Sequence, residues 1–487
     1  MIFRRALATF TPNLTPTIRQ LLSPGTTANA SPIQVNGWVK SVRRQKRVAF
    51  AVITDGSSTE GLQAVFTDVG LANRHVSMES RLTTGSAVKL TGVLAGSIGP
   101  GQDKELKVQS VDVVGQCDPE NYPIMKRDMT TEYLRDYAHL RARTETFAAT
   151  LRLRDSTQKA LQSYFSELGF CYTHTPLIVS TDCEGAGETF RVQAPTSTTK
   201  LDQQVDPSSL ATNDSSKRAE FFGRPAYLTV SSQLHLEVLA QSLARVYTIA
   251  PSFRAERSQT GRHLSEFWML EAEWAFTNHV DDVCQVVEGA VKRALTQDST
   301  DLAHLRKDLS DDHLASLEKA SVTPTWARMT YTEAVDELQK VQRASRLFKF
   351  EPIWGSALRS EHERWIADHL VGGPTFVTDY PSTLKPFYMR WNDDGKTVAC
   401  FDLLVPNLGE LVGGSLREER LANLDKTMKI QGMDPTAYEW YLDIRRHGGA
   451  PHGGFGLGFE RLISWMSGVE NVRECIPMPR WAGRMLL

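Results

Sequence analysis

The chain has 487 residues and a mass of 54.4 kDa, with 41% apolar and 23% charged residues. This composition is typical of a globular protein of about two or three domains, and no run approaches the roughly 18 consecutive apolar residues of a membrane-spanning helix, which excludes a transmembrane or mainly disordered protein. The net charge of −2 by itself indicates no nucleic-acid partner, and the six cysteines form no C-x-x-C pair, so no zinc site or disulfide framework is predicted.

Residues 1–30 contain three basic side chains, Arg4, Arg5 and Arg19, and no acidic one. The segment is rich in Ser and Thr and lacks the continuous apolar region of a secretory signal, a composition typical of a mitochondrial transit peptide. It therefore predicts a protein of the mitochondrial matrix, with a merely disordered terminus as the alternative. We expect this segment to lie outside the fold.

Residues 31–116 are predicted to form a small β-barrel. Five short runs rich in Val and Thr recur between Gly and Asp turn signals. A five-stranded oligonucleotide-binding (OB) barrel fits this pattern best, and an SH3-like barrel is the alternative. The segment carries ten basic and seven acidic side chains, and five of the basic ones lie at positions 40–47 beside Phe50. A basic groove with an aromatic ring favours single-stranded nucleic acid, whereas a solvated basic surface is the simpler interpretation.

A connector and a second domain follow the barrel. Residues 117–145 are predicted to be a polar hinge or linker, followed by a helix over 146–168. The Ser- and Thr-rich segment 194–218 is predicted to be a disordered insertion, and 281–350 a helical appendage. Strands and helices alternate irregularly, so the domain at 146–487 is expected to be α+β and not a doubly wound sheet.

Two short matches to catalytic motifs fail. The GKT tripeptide at 395–397 lacks the other glycine of a phosphate-binding P-loop, because Arg390 stands at that position. The His-Glu pair at 362–363 has Ile366 where a zinc protease needs its second histidine. The sequence therefore supports neither a P-loop nucleotidase nor a zinc hydrolase.

Residues 253–276 concentrate charged side chains beside apolar ones. Arg254 and Glu256 are two apart, so on a strand they would project from the same face, and Arg262 and His263 lie in a Gly-containing turn. A hairpin here would direct several charges to one place. A surface hairpin with ion pairs is the alternative, although the second strand is too rich in Trp, Phe, Met and Leu to be wholly exposed.

Residues 447–466 run from a glycine-rich strand into an apolar helix that carries Arg461 near its start. On its own such a turn is common. Together with 253–267 and with 165–176, it resembles the three signature motifs of class II aminoacyl-tRNA synthetases, in the same order and over most of the chain. The basic five-stranded barrel in front of them resembles the subgroup that activates aspartate, asparagine or lysine.

This resemblance implies an α+β fold, with an N-terminal OB-fold β-barrel that binds the anticodon and a class II catalytic domain built on an antiparallel sheet flanked by helices. It also implies ATP as a substrate, Mg²⁺ as a cofactor, tRNA as a partner, and a homodimer joined through the first motif. No membrane partner is expected.

Four residues take nucleotide-binding roles by resemblance. Arg254 matches the arginine that bridges the amino-acid carboxylate and the α-phosphate of ATP, which suits a bidentate guanidinium. Arg461 matches the cation near the γ-phosphate. Glu256 matches the residue that fixes the adenine amino group, and Phe267 matches the ring that stacks on adenine.

Five further residues complete the implied site. Arg262 and His263 match the loop over the triphosphate. Asp402 and Glu410 match the carboxylates that hold Mg²⁺ on the phosphates, which are hard oxygen ligands for a hard cation. In the barrel, Phe50 matches the ring that stacks on the middle base of the anticodon.

The pocket for the substrate side chain departs from the aspartyl pattern in favour of asparagine. Gln233 is retained, but Leu236 stands where aspartyl enzymes carry the lysine that contacts the substrate carboxylate. Glu271 replaces their aspartate and can accept an N–H from a side-chain amide while it repels a carboxylate. By resemblance to asparaginyl members, Arg417 holds the side-chain carbonyl and Glu184 the α-ammonium group.

The sequence therefore predicts an enzyme that joins asparagine to tRNA(Asn) in the mitochondrial matrix through an asparaginyl-adenylate. An aspartyl or non-discriminating enzyme is the nearest alternative. A non-catalytic tRNA-binding paralogue is the alternative from another class, and the presence of Arg254, Glu256 and Arg461 disfavours it.

Overall fold

The computed structural model describes residues 14–26, 31–45, 48–67, 82–97, 99, 102–125, 128–180, 188–194, 220–297 and 299–487. These residues form two compact units. The first unit runs to Arg152 and includes Thr300–Leu305, and the second comprises Leu153–Ser299 and Arg306–Leu487.

The first unit is built on a closed five-stranded barrel. Its strands are β1 (Ile33–Arg44), β2 (Val48–Thr54), β3 (Leu62–Thr67), β4 (Ala87–Gly96) and β5 (Lys104–Gly115), paired in the order β1-β2-β3-β5-β4. Alternate side chains face inward, as the period of two of a strand requires, and Val35, Val39, Ile53, Leu62 and Leu90 are fully buried. The prediction of an OB-fold barrel is confirmed.

A short helix from the predicted leader belongs to the core of this barrel. In helix α1 (Ile18–Leu22), Ile18 and Leu21 are buried among the barrel side chains. Asp55, just after β2, accepts the backbone N–H of Ile18 at 2.8 Å. The expectation that the whole N-terminal segment lies outside the fold is therefore wrong for this helix. Residues 1–13 of the predicted leader lie outside the described residues.

The connector predicted at 117–145 has local structure of its own. It contains α2 (Thr131–Asp136) and leads into the long helix α3 (Glu145–Glu167). The chain turns at Gly169 with a φ of +74°, which favours glycine at this position. The helix predicted over 146–168 is confirmed.

A large, mostly antiparallel sheet forms the second unit. The strands of this unit are β6 (Cys171–Tyr172), β7 (Ile178–Val179), β8 (Arg191–Val192), β9 (Ala226–Leu228), β10 (Arg245–Phe253), β11 (Glu266–Ala275), β12 (Ala327–Thr330), β13 (Thr375–Thr378), β14 (Cys400–Val405), β15 (Gly409–Leu416) and β16 (His452–Gly458). Eight of them pair in the order β12-β13-β14-β15-β16-β11-β10-β6, and β7, β9 and β8 form a small second sheet. Only the two outermost pairs of the large sheet, β12 with β13 and β10 with β6, are parallel. The predicted catalytic sheet is confirmed.

The remaining helices follow α3 along the chain. They are α4 (Gln233–Leu243), α5 (Val280–Leu295), α6 (Thr300–Arg306), α7 (Asp311–Val322), α8 (Tyr331–Ser345), α9 (Ser360–Trp365), α10 (Leu421–Ile430), α11 (Glu439–Arg446) and α12 (Phe459–Ser467), with a π-helical turn over Ile366–Leu370 after α9. Residues 281–350 are largely helical as predicted. They do not form a separate appendage, however, because β12 pairs with β13 in the main sheet. The insertion predicted at 194–218 lies outside the described residues except for Ala194.

One apolar core supports the strands and helices that carry the site. It combines side chains of α4, α8, β13, β14 and α11, including the fully buried Tyr331, Val377, Cys400 and Tyr441. Burial of this kind fixes α4, α8 and α11 in position against the sheet. No helix among the described residues is long and apolar enough to cross a membrane.

Candidate active site

Three adjacent strands, β10, β11 and β16, carry or border the residues of the second and third motifs. β10 and β11 form the predicted hairpin. Arg254 and Glu256 were predicted to lie on a strand, but β10 ends at Phe253 and both residues lie in the loop that follows. The Arg254 backbone N–H still donates to the Ser265 carbonyl at 3.0 Å, so the hairpin pairing extends to this residue and orients it.

A cavity of about 160 Å³ is lined by this loop, by β11 and by the start of α12. Seven residues predicted to bind the nucleotide line it together: Arg254, Glu256, Arg262, His263, Phe267, Glu410 and Arg461. Leu264, Met269 and Val472 form part of the apolar wall. Cations and an aromatic ring in one partly apolar cavity suit a ligand that combines a flat ring with negative charge. We call this the nucleotide cavity.

Arg254, Glu256 and His263 form a chain of contacts in the lining of the nucleotide cavity. The Arg254 guanidinium carbon lies 5.7 Å from the centre of the Phe267 ring, and its Nη1 lies 3.9 Å from Glu256 Oε1. His263 Nε2 is 3.5 Å from Glu256 Oε2, and its Nδ1 is 2.6 Å from Thr260 Oγ1. Burial lowers the pKa of His263, and the nearby arginines lower it further despite the opposing effect of Glu256. His263 therefore acts here as a hydrogen-bonding group more than as a fixed charge.

Arg461 and Glu410 lie next to each other in the lining of the nucleotide cavity. Arg461 lies in the first turn of α12, and its Nη1 is 3.3 Å from the Glu410 carbonyl oxygen and 3.7 Å from Glu410 Oε2. Burial opposes ionisation of Glu410, but Arg461, Lys385 and the other cations outweigh it and lower the pKa of this carboxyl. A charged carboxylate therefore stands among the arginines, ready to hold a cation.

A second cavity, of about 340 Å³, adjoins the first. Gln233, Glu271 and Arg417, which were predicted to bind the amino acid, line it together with Leu236. Four residues line both cavities: Arg254, Met269, Glu410 and Gly456. Arg254 therefore stands where the two cavities meet. We call the second one the amino-acid cavity.

Glu271 is held in the amino-acid cavity by the segment before α4. Ser231 Oγ donates to Glu271 Oε1, and the Ser232 backbone N–H donates to Oε2 at 2.9 Å. Burial nevertheless raises the pKa of Glu271, against the effect of these hydrogen bonds. Leu236 is both a core residue, packed with Ala240 and Val246, and part of the cavity wall.

Arg417 is fixed by a buried carboxylate that the sequence analysis missed. Its Nη2 and Nε lie 2.9 and 3.1 Å from the two oxygens of Glu273, and its Nη1 donates to Ser415 Oγ at 2.6 Å. A Cβ on Gly454 would lie only 2.1 Å from Glu273 Oε2, so the glycine of β16 leaves room for this carboxylate. Glu273 lies two residues after Glu271, and the alternation of β11 could have predicted that both point to one side.

Asp402 on β14 has a partner of its own, because Lys385 Nζ lies 2.9 and 2.8 Å from its two oxygens. Burial raises the pKa of Asp402, and Lys385 opposes this rise. A Cβ on Gly413 would lie 3.6 Å from Asp402 Oδ1 and 3.8 Å from Glu410 Oε1, so both carboxylates border the same small space. Carboxylate oxygens are the ligands that Mg²⁺ prefers, so the two side chains offer suitable donor atoms, with Lys385 already in contact with Asp402.

Glu363 also lies beside this space, although the sequence analysis considered it only in a rejected protease motif. Its Oε2 is 3.8 Å from Arg262 Nη2 and accepts the Glu410 backbone N–H at 3.3 Å. Burial, with repulsion from Glu410, raises the pKa of Glu363 to about 7. Nothing in the spacing of the chain could have placed α9 next to the loop that carries Arg262.

One predicted site residue lies in the barrel. Phe50 is a half-buried residue of β2 in the barrel, and the Arg43 guanidinium carbon lies 5.7 Å from the centre of its ring. Lys46 and Arg47 of the basic cluster lie outside the described residues. Glu184 lies outside them as well, so its predicted contact with the α-ammonium group stays a prediction.

The chain is similar to known proteins along most of its length. A family model described as class II tRNA synthetases (D, K and N) matches residues 130–482, and a model described as an OB-fold nucleic acid binding domain matches residues 33–114. Curated asparagine–tRNA ligases of Thermosynechococcus vestitus and Geobacter sulfurreducens are 43% and 45% identical to it, over 93% and 95% of this chain and 96% and 97% of theirs. This chain belongs to the asparagine–tRNA ligase family.

A solved structure agrees with this assignment. The crystal structure of asparaginyl-tRNA synthetase from Pyrococcus horikoshii, complexed with asparaginyl-adenylate, is 28% identical, has a TM-score of 0.80, and covers 98% of this chain and 100% of that one. The chain is therefore that of a class II ligase. The alternative of a non-catalytic paralogue loses its support, since Arg254, Glu256 and Arg461 also line one cavity.

Proposed function

We propose that this protein attaches asparagine to tRNA(Asn) with ATP, through an asparaginyl-adenylate, in mitochondrial translation. One observation carries the chemical part of this proposal: the nucleotide cavity and the amino-acid cavity meet at Arg254. A reaction that joins an amino-acid carboxylate to the α-phosphate of ATP needs its two substrates in adjoining sites with a cation between them.

The first step follows from this geometry. An oxygen of the asparagine carboxylate attacks the α-phosphorus, and the bond from that phosphorus to pyrophosphate breaks. Arg254 can contact both anions through its two-pronged guanidinium and stabilise the charge that builds up between them. No protein base is needed, because the attacking carboxylate is already ionised, so positioning and electrostatics do most of the catalysis.

The other residues of the nucleotide cavity orient ATP. Phe267 offers a ring on which adenine can stack, and Glu256 offers an acceptor for its amino group. Arg262 and Arg461 bring positive charge to the β- and γ-phosphates. Each of them lies close to a carboxylate, Arg262 to Glu363 and Arg461 to Glu410, and these carboxylates help to orient the two guanidinium groups.

Asp402 and Glu410 are the residues that would hold Mg²⁺ on the phosphates. The ion would supply further neutralisation of phosphate charge. Lys385 keeps Asp402 oriented toward the space that it shares with Glu410.

The barrel is proposed to bind the anticodon. Phe50 with Arg43 provides an aromatic ring and a cation side by side, a combination that suits an unstacked base and its phosphate. The acyl group of the adenylate would then pass to the terminal ribose of the bound tRNA. Asparagine is favoured in the amino-acid cavity because Leu236 supplies no cation for a substrate carboxylate and Glu271 is an acceptor.

A homodimer is also proposed. Tyr172, Leu177, Ile178 and Phe190 are exposed apolar residues at and after the edge strand β6, the region of the first motif. An exposed apolar group at a sheet edge is typical of a protein interface. Sedimentation of the purified chain at micromolar concentration is expected to give twice the mass of one chain, and a monomer would contradict this.

The mitochondrial location rests on the sequence of the N-terminus. Residues 1–13 contain Arg4 and Arg5 and no acidic residue. A fluorescent protein fused behind residues 1–26 is expected to enter mitochondria, and the Arg4→Glu, Arg5→Glu variant is expected not to. Uniform cytosolic fluorescence of the unaltered fusion would refute the location.

Exchange of labelled pyrophosphate into ATP tests the chemistry. Purified protein is expected to catalyse exchange with asparagine, and to have a kcat/KM for aspartate lower by roughly 10³-fold or more. Comparable exchange with aspartate would favour the non-discriminating alternative. No exchange with either amino acid would refute the proposed reaction.

A further inference from the structure

A network of buried charged side chains lies behind the amino-acid cavity. Its centre is Glu237, a fully buried residue of α4. Glu237 Oε2 lies 2.7 Å from Arg445 Nη2, accepts the Tyr441 hydroxyl at 2.6 Å, and is 3.0 Å from His452 Nε2. Burial opposes ionisation of Glu237, but Arg445, His452 and Arg417 overcome it and hold the pKa of this carboxyl well below its usual range. Glu237 is therefore a buried anion.

The other oxygen of Glu237 faces two residues of the amino-acid cavity. Oε1 lies 3.8 Å from Arg417 Nε and accepts the side-chain amide N–H of Gln233 at 3.0 Å. Gln233 and Arg417 both line the cavity, whereas Glu237 does not. Glu237 therefore has contacts with two residues of the cavity lining without being part of that lining itself.

The first effect concerns charge. Glu237 and Glu273 are two carboxylates close to Arg417, and Arg417 and Arg445 are the two guanidinium groups that balance them. Arg417 thus brings little unbalanced positive charge to the cavity. A substrate carboxylate would add a further negative charge to an already balanced set, whereas a neutral amide would not. In a buried site this difference is worth a large factor in binding.

The second effect concerns the orientation of Gln233. A carboxylate accepts hydrogen bonds and does not donate them, so Glu237 requires the NH₂ end of the Gln233 amide to point toward it. The carbonyl oxygen, together with the second N–H of the same NH₂ group, is then left for a ligand. A carbonyl oxygen suits the N–H groups of an asparagine molecule and repels a second carboxylate.

A metal site is the other interpretation of this network. Among the described residues, Glu237, Glu273 and His452 are the one group of three potential ligands close enough to share an ion. Arg445 and Arg417 already occupy the positive positions beside both carboxylates, at 2.7 and 2.9 Å. The network is therefore complete as an ion-pair network and has no need of a metal.

We propose that Glu237 is a positioning residue for substrate selection: by neutralising Arg417 and fixing the Gln233 amide, it makes the cavity select the neutral side chain of asparagine over the carboxylate of aspartate. This inference rests on the proposed function, because it presupposes that the protein activates asparagine. It gives Glu237, which does not contact the substrate, part of the discrimination between asparagine and aspartate that was ascribed above to Leu236 and Glu271.

The test is Glu237→Gln in the full chain, which removes one charge with little change of shape. Pyrophosphate exchange is measured with asparagine and with aspartate. We expect the ratio of kcat/KM for aspartate to that for asparagine to rise about tenfold or more, because a unit charge near a buried site is removed. A purely structural defect would lower both values and leave the ratio unchanged. An unchanged ratio in a folded variant overturns the proposal.

Two control variants accompany this experiment. Glu237→Asp keeps the charge and is expected to keep the ratio within about threefold. Glu288→Gln removes a carboxylate that is also buried and bonded to Lys292 at 2.6 Å, but lies outside both cavities, so the ratio is expected to stay constant. A rise in the ratio with Glu288→Gln as large as with Glu237→Gln would overturn the proposal, because it would show a general effect of lost stability.

The results distinguish failure of the proposed function from failure of the role proposed for Glu237. Absence of asparagine-dependent exchange in the unaltered protein refutes the proposed function itself. Selective exchange in the unaltered protein with an unchanged ratio in Glu237→Gln refutes only this inference. If Glu237→Gln does not fold, Glu273→Gln removes the other carboxylate at Arg417 and must raise the same ratio, and failure to do so overturns the proposal.

Discussion

Among the four residues that border both cavities, Arg254 is the cation, and its loss should therefore affect the chemistry most. We expect Arg254→Ala to lower kcat/KM for asparagine-dependent pyrophosphate exchange by roughly 10³-fold or more, because a guanidinium aimed at developing charge is removed. Binding of tRNA, measured on filters, is expected to stay within about twofold, since the barrel is a separate unit.

Arg254→Lys is the matched control. It keeps the charge but loses the two-pronged geometry, so its exchange rate is expected to lie between those of the unaltered protein and the Ala variant. Near-normal exchange in Arg254→Ala would show that this residue does not bridge the two substrates.

The side-chain pocket gives a second prediction for single residues. Leu236→Lys combined with Glu271→Asp should raise the kcat/KM ratio of aspartate to asparagine at least about tenfold, because a cation is added and the acceptor is shortened. Glu271→Asp alone is the control. It weakens the contacts with Ser231 and Ser232 but adds no cation, so both activities should fall and the preference should change much less than in the double variant. A double variant with the original preference would contradict the role given to Leu236.

Residues within a recognisable motif could be predicted from the sequence, whereas the side chains that hold them in place could not. Arg254, Arg461 and Gln233 follow from short local patterns, and the structure places each in a cavity. Glu237 lies one helical turn after Gln233, so its proximity to that residue was predictable from helix geometry. Its contact with Arg445, about 200 positions away, depends on tertiary packing that no local pattern contains.

Helix α1 illustrates the same limit for a whole element. Composition assigned it to a removable leader, because charge and residue type do not reveal which face of a short helix is buried. Ile18 and Leu21 are both in the barrel core, and Lys104 Nζ donates to the Leu21 carbonyl oxygen at 3.0 Å and to that of Ser23 at 2.7 Å. Long-range contacts of this kind hold the helix on the barrel, and only the structure shows them.

Stability measurements can test this placement of α1. Ile18→Ala is expected to lower the free energy of unfolding of the barrel by about 2–5 kcal/mol, the usual loss for a large buried aliphatic side chain. Leu14→Ala is the matched control, because that side chain is 80% exposed, and it should change stability by less than about 0.5 kcal/mol. Urea unfolding followed by circular dichroism gives both values. Equal stability of the two variants would show that α1 does not pack in the barrel core.

The same helix restricts where a leader could be removed. Cleavage beyond Leu22 would discard two core side chains, whereas cleavage before Thr17 would leave the helix and its capping residue intact. If the proposed leader is removed, N-terminal sequencing of the mature chain is expected to give Thr17 or an earlier residue first. A mature chain that begins after Leu22 would contradict the packing of α1.

For the molecule as a whole, the net charge of −2 conceals an uneven distribution. Residues 31–116 carry ten basic and seven acidic side chains, and Arg254, Arg262 and Arg461 are concentrated in the nucleotide cavity of the second unit. The proposed sites for two different anions, a tRNA loop and ATP, therefore lie in two separate units. The total charge could not predict these two sites, because the acidic residues of the second unit cancel their positive charge.

Because the two proposed sites lie in separate units, a substitution of Phe50 should affect tRNA charging and leave pyrophosphate exchange unchanged. We expect Phe50→Ala to lower kcat/KM for tRNA in the charging reaction by roughly 10- to 100-fold, since stacking on an aromatic ring is worth about 1–3 kcal/mol per base. Pyrophosphate exchange needs only the cavities of the second unit and should be unchanged. Phe50→Tyr keeps the ring and should restore charging. Loss of exchange in parallel with charging would show that Phe50 supports the fold and not the anticodon, whereas full charging by Phe50→Ala would move the anticodon contact to another part of the barrel.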